Sequence, residues 1–225
     1  MSAARPPEGA RPAADADYAI VDGTQASAAD RRRMATLLFS TSYLEYCSAA
    51  NKLGIPCVDL QQRTNIDPFL PHLRVLADGT RRLAGFYVAA TQAELAGIAT
   101  GRPYRDEMQA LDDAYEAFVG AHTRPDDFFV ASLAIEPRDR GRGLFHRMFD
   151  DILARARAAG SPRVVLAVWD SNAALALYRN KGMRPLARFD TAWPLFFDRL
   201  WLLALPRADS PATRAPRQLA QGAPA

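Results

Sequence analysis

FFVASLAIEPRDRGRGLFHRMFDDIL, residues 128–153, runs from a nearly unbroken apolar stretch into two glycines set among three arginines, then into an amphipathic segment. The first eight residues read as a central strand buried on both faces. Leu144, Phe145, Met148, Phe149, Ile152 and Leu153 recur as one broad helical stripe, and Gly160 is placed to end that helix. A strand that feeds a glycine-rich turn and then a helix N-terminus is an anion-binding arrangement. The first backbone N–H groups of the helix lack internal acceptors, and the helix dipole favours negative charge there. Gly141 and Gly143 have no Cβ to keep a phosphate from those N–H groups. Arg140 and Arg142 flank them, and a guanidinium can grip phosphate oxygens bidentately.

Around this stretch the chain reads as alternating strands and helices. Tyr18 to Val21 is a short strand, Ser27 caps a helix that carries Met34, Leu37 and Leu38, and a second helix covers Tyr43 to Lys52. FLPHLRVLADG reads as a strand closing in a turn at Asp78 and Gly79, with RLAGFYVAA as its hairpin partner. Arg105 to Val119 is acidic and helix-forming. RVVLAVW is a second buried strand, followed by a helix over Ala173 to Asn180 and by the strands RPLARFD and FFDRLWLLAL. The sum is a mixed α/β sheet in which the crossover through the 144–159 helix makes its two strands parallel.

Composition narrows the function. With 225 residues, 49% hydrophobic and 24% charged, one full core is expected and wholesale disorder is excluded. Only Lys52 and Lys181 are lysines among 28 basic residues, a bias of composition and not of function. The arginines are dispersed and nearly balanced by acids, so a nucleic-acid partner is not expected at a net charge of +3. Cys47 and Cys57 show no metal-ligand spacing and read as free thiols of a cytoplasmic protein. No apolar segment reaches the roughly 20 residues that span a bilayer, and no membrane partner is expected. Residues 1–16 hold no apolar signal core, and both they and 206–225 read as flexible tails. His72, His122 and His146 are scattered, so no metal site is expected.

A nucleotide-hydrolase phosphate loop would need a Lys after the second glycine, and a dinucleotide fingerprint would need a small residue where His146 stands. Neither fits. The spacing Arg138-x-x-Gly141-x-Gly143, preceded by LAIEP, resembles the GNAT superfamily of N-acetyltransferases. A second segment resembles it independently: in DSNAALALYRNKGM, Ala174, Leu177, Tyr178 and Gly182 fall in the family register, with Met183 in place of the usual Phe. The resemblance is close from Phe128 to about Asp190 and lies only in the order of elements before that.

The resemblance implies one domain over residues 17–205, with a helical insertion at about 101–122. Its sheet would be mixed, mostly antiparallel, with a splayed parallel strand pair and flanking helices. It implies acetyl-CoA as acyl donor and a primary amine, of a small molecule, as acceptor. Ala134 and Ile135 would pair with the pantetheine arm. Arg138, Arg140, Gly141, Arg142, Gly143 and Leu144 would hold the pyrophosphate, and Tyr178 would give a proton to the CoA sulfur. Three departures stand out. Phe145 replaces a small residue. Asn172 lies one position closer to the tyrosine than the family has it, with Ser171 in the expected place, so either contacts the pantetheine arm. Phe129 stands where some relatives carry a glutamate base, leaving Asp127 or Ser132, through water, as substitutes and Glu136 as loop scaffold. These departures keep open a rival from another class, a non-catalytic acyl-CoA-binding module. Phe39, Tyr43 and Tyr46 line an acceptor pocket or pack in the core, and the acidic stretch 104–118, with Asp126 and Asp127 after it, attracts a cationic amine or is a solvated face. The oligomeric state stays open, a homodimer included.

Overall fold

The computed structural model describes residues 18–100, 105–189 and 199–207. Seven strands form one sheet: β1 (Ala19–Asp22), β2 (Leu73–Ala77), β3 (Leu83–Thr91), β4 (Phe128–Ile135), β5 (Arg163–Trp169), β6 (Arg184–Phe189) and β7 (Leu200–Pro206). They lie in the order β1-β2-β3-β4-β5-β7-β6. Every neighbouring pair is antiparallel except β4 and β5. The helices are α1 (Ala28–Thr41), α2 (Tyr43–Leu53), α3 (Gln92–Ala96), α4 (Arg105–His122), α5 (Leu144–Ala158) and α6 (Ala174–Asn180). Both expected tails lie outside the described residues, save Pro206 and Arg207, as do residues 101–104 of the insertion.

The sheet is buried on both faces, which is why β3 is covered along its length from Leu83 to Ala90. On one face the α5 stripe of Leu144, Phe145, Met148, Phe149 and Ile152 packs with Tyr87, Val164, Leu166 and Tyr178. On the other, Met34 and Leu37 of α1 meet Phe86 and Val88, while Val119 of α4 meets Phe129 and Val165. Alternate residues of β5 therefore serve two cores, as a pleated strand requires. Ser27 caps α1 as expected: its hydroxyl accepts from the N–H of Asp30, whose carboxylate accepts from the N–H of Ser27.

Two local expectations are corrected. The first hairpin strand begins at Leu73, because Asp67–His72 forms a 3₁₀ turn with Pro68 in its first turn and Pro71 inside; proline lacks the N–H that a ladder needs. The turn that follows is not a two-residue Asp-Gly turn. Asp78 accepts from the N–H groups of Thr80 and Arg82, and the residue with positive φ is Arg81, at 63°. At the other end β7 begins at Leu200, and residues 196–198, expected in the same strand, lie outside the described ones.

Candidate active site

β4 and β5 pair only at Phe128–Val164, Phe129–Val165 and Val130–Leu166. Beyond that the strands part. Against β3, Val88 faces Ser132 while Ala89 faces Val130, so Ala131 is an extra residue in β4 at the point of divergence. Such a bulge bends its strand, and the buried run of Phe128 to Val130 gives way to exposed Ala131 and half-buried Ser132 and Leu133. The result is a cleft of about 890 Å³ that passes through the sheet. Leu144 and Phe145 of α5 and Tyr178 of α6 line it from one face; Leu38, Glu45, Tyr46, Asp112 and Tyr115 line it from the other.

At the α5 end, Gly141 and Gly143 both have φ of +75°. L-residues with a side chain rarely hold this conformation, and a Cβ at either glycine would meet nothing within 4 Å. The space above the loop is therefore open to a ligand. Gly143 is the N-cap of α5 and offers no side-chain acceptor, so the first N–H groups of the helix have no cap. Below the loop sits Asp139, buried, bonded to both terminal nitrogens of Arg82 at 2.9 and 3.1 Å and to the Tyr18 hydroxyl at 3.3 Å. These bonds, Arg82 first, hold its carboxyl below the usual carboxylate range. Glu136 is also buried and accepts from Arg33 Nε at 2.5 Å and Nη2 at 2.6 Å, which ties the loop to α1. It is scaffold, as expected.

Of the residues expected to touch the donor, Ala134, Ile135, Arg140, Gly141, Gly143, Leu144, Asn172 and Tyr178 line the cleft. Arg138 and Arg142 do not. Arg142 donates to the Tyr18 hydroxyl at 3.1 Å and Arg138 lies 3.7 Å from Asp139, so both stand over the buried carboxylate with much of their length in solvent. Arg140 Nε donates to the carbonyl of Ile135. Of the two candidates for contact with the pantetheine arm, Asn172 lines the cleft, its Oδ1 accepting from the Ala174 N–H at 2.9 Å just before α6; exposed Ser171 lies outside it. Tyr178 is buried against Phe145, with ring centroids 5.5 Å apart, and burial lifts its phenol to about 12.

Asp127 does not reach the cleft. It is fully buried, gripped by Arg163 at 2.7 and 2.8 Å, and accepts from the Arg124 N–H. Phe129 and Ser132 do line it. Of the three aromatics on α1 and α2, only Tyr46 faces the cleft; Phe39 packs edge-on to both tyrosines, and Tyr43 is 56% exposed.

The family description Acetyltransferase (GNAT) family matches residues 57–183, more than half of the chain. The chain belongs to the GNAT acetyltransferases. It is therefore placed among enzymes that use acetyl-CoA to acetylate. A search of curated proteins finds no sequence match. Among solved structures, the C-terminal condensation domain of Ebony, in complex with beta-alanyl-dopamine, aligns with a TM-score of 0.60 at 12% identity, covering 85% of this chain and 99% of that one. The IAA acetyltransferase from Bacillus cereus aligns at 0.51 and 14% identity, covering 85% and 100%. The ribosomal-protein-S18-alanine N-acetyltransferase from Escherichia coli aligns at 0.52 and 13%, covering 84% and 93%. At these identities the likeness is one of fold.

Glu45 and Trp169 escaped the sequence reading. Trp169, at the end of β5, donates from Nε1 to Glu45 Oε1 at 2.5 Å, and both line the cleft. A signal existed: Glu45 is the only charged residue between Arg33 and Lys52. Asp112 and Tyr115 came from the acidic stretch already noted. Among the described residues no group of His, Cys, Asp and Glu could hold a metal ion, and no helix is long and apolar enough to cross a membrane.

Proposed function

We propose that this protein transfers the acetyl group of acetyl-CoA to a primary amine of a small molecule, by direct attack in a ternary complex. The observation that carries the reading is the parting of β4 and β5 after Val130 and Leu166, which opens one cleft to both the glycine loop and Tyr178. The open space over Gly141 and Gly143 suits a pyrophosphate on the first N–H groups of α5, with Arg140 at the rim and Arg138 and Arg142 adding positive charge from outside. Past Val130, β4 has no ladder partner on its β5 side. Its N–H groups there can bond the pantetheine arm along Ala134 and Ile135, and can polarise the thioester carbonyl as charge builds on its oxygen.

The amine must shed its ammonium proton before attack. Its nitrogen then forms the C–N bond with the carbonyl carbon, the C–S bond breaks, and the departing sulfur takes the Tyr178 proton. A second proton leaves the nitrogen as the amide forms and restores the phenol. With its phenol at about 12, Tyr178 stays protonated at neutral pH, as a donor must. A cytoplasmic setting, where acetyl-CoA is at hand, accords with the two free cysteines, Cys47 and Cys57.

The test is calorimetric titration with acetyl-CoA beside Gly143→Glu, followed by thiol-release assays on a panel of amines. Wild type should bind, and the variant should not, since its carboxylate would project into the anion site. Absence of acetyl-CoA binding by wild type overturns the reading. Binding without turnover of any amine favours the non-catalytic module instead.

A further inference from the structure

We propose that Cys47 and Cys57 are a reversible modification site, a thiol pair that a low-molecular-weight disulfide closes into a Cys47–Cys57 bridge, clipping the cleft wall opposite α5. The proposal is independent of the acetyl-transfer reading, since no step of it uses acetyl-CoA or an amine.

These are the only cysteines of the chain, and the fold brings them together. Cys47 stands in the middle of α2, and Cys57 opens the 3₁₀ turn Cys57–Leu60 that follows it. Gly54, with φ of +68°, ends α2 and lets the chain reverse. The Cys57 thiol then donates to the Cys47 sulfur at 3.7 Å and lies 4.0 Å from the Tyr46 carbonyl. A disulfide holds its sulfurs at about 2.05 Å, so a closure of about 1.6 Å remains, which rotation about two Cα–Cβ bonds can share. Both cysteines are half-buried. Tyr43, one turn before Cys47, and Val58, next to Cys57, are 56% and 64% exposed, so a small oxidant has a path to the pair.

Oxidised glutathione is such an oxidant. One protein thiolate attacks it, an S–S bond forms to one glutathione, and the other leaves as a thiol. The second protein thiolate then attacks the first protein sulfur, the Cys47–Cys57 bond forms, and the remaining glutathione leaves. The protein gives up two electrons and two protons, and the reagent becomes two thiols. Burial, ahead of the Cys47 contact, holds the Cys57 thiol above its ordinary value, so that sulfur keeps its proton at neutral pH and the pair stays reduced until oxidant is in excess.

The bridge matters because of what it ties. Tyr46, Ala49 and Leu53 of α2 and Leu60 of the turn line the cleft. Yet α2 is lightly held: its start has no side-chain cap, and among its described residues only Ser48 and Ala50 are buried. A helix with few buried contacts opens locally at low cost. A covalent tie from position 47 to position 57 restricts that opening and fixes the two parts of the wall to each other.

The test incubates the whole 225-residue chain, first reduced, with oxidised glutathione. Thiols titrated after unfolding should fall from two per chain to none, with the two cysteine peptides linked in a non-reducing digest and the protein running as a single chain on a denaturing gel. Excess dithiothreitol should restore both thiols. Amide exchange over residues 43–60 should slow by about tenfold in the oxidised form, and that over α5 by less than about twofold. Cys57→Ser should stop at a glutathione adduct on Cys47 and show no slowing. Two thiols that persist, a glutathione on each sulfur in place of a bridge, a bridge between chains, or a bridge that dithiothreitol does not open overturns the proposal. So does a bridge that leaves exchange over 43–60 unchanged, or equal slowing in Cys57→Ser. Failure of the protein to bind acetyl-CoA is a different result, which removes the transferase reading and leaves this one standing.

Discussion

Burial alone lifts the Tyr178 phenol to about 12, and the consequences can be read one residue at a time. Tyr178→Phe removes the proposed proton donor and keeps the ring that packs on Phe145. Its kcat should fall by about a hundredfold or more, the usual size of a lost general acid, with acetyl-CoA affinity within about twofold by calorimetry. In wild type, no alkaline limb from this group should appear in the rate profile below about pH 11, since the phenol is still protonated there. For stability the sign is the same. A phenol raised in the folded state favours folding while protonated, so that contribution is intact below about 10 and is lost as pH climbs toward 12. Tyr178 was legible as a residue of the cleft because its motif begins within one short helix. Glu45 was not, because a lone glutamate on a helix gives no sign of the indole it will meet 124 positions away.

At the scale of elements, buried ion pairs fix how strands and loops meet. Asp127 joins the turn before β4 to the start of β5 through Arg163, at 0% and 19% side-chain exposure. Asp127→Asn leaves that arginine without its charge partner, and should lower unfolding stability by about 3 kcal/mol in urea. Activity per folded molecule should hold, because Asp127 lies outside the cleft; a selective loss of kcat in a stable variant would restore it as a base. The helices and central strands were legible from periodicity, as with the α5 stripe. The segment 69–72 was not: its Phe, Leu and His alternate well enough for a strand, yet Pro68 and Pro71 turn it into a 3₁₀ connection.

Across the molecule, acid should be the weak side. Asp22, Asp78, Glu94, Glu136 and Asp139 all have carboxyls held below their ordinary values, chiefly by hydrogen bonds from Thr24, Thr80, Thr91, Arg33 and Arg82 respectively. Depressed carboxyls add stability above their unfolded values near 4 and lose it as pH falls through the folded ones, down to about 2 for Asp78. Thermal unfolding should therefore move steadily lower between about pH 4 and 2, and a flat midpoint over that window would contradict these networks. Phe149, 1% exposed in the core that joins α5 to the sheet, gives the matching test of packing. Phe149→Ala should cost about 3–5 kcal/mol and keep a single transition, since both cores share the strands of one sheet.

The sequence by itself determined the strand and helix series from Phe128 onward, the glycine loop, and the family, because each is written in local spacing: period 3.6 for α5, glycines where φ must be positive, Tyr178 in register with Gly182. Only the tertiary structure decided which carboxylates face the cleft. Asp127 turned into a buried strut, Glu136 into a brace for the loop, and Glu45 and Asp112 into lining of the cleft. A carboxylate's role depends on which charge or donor lies within about 3 Å of it. Those partners are 103, 36 and 124 residues away for Glu136, Asp127 and Glu45, distances over which only the closed sheet, and no local pattern, specifies who meets whom.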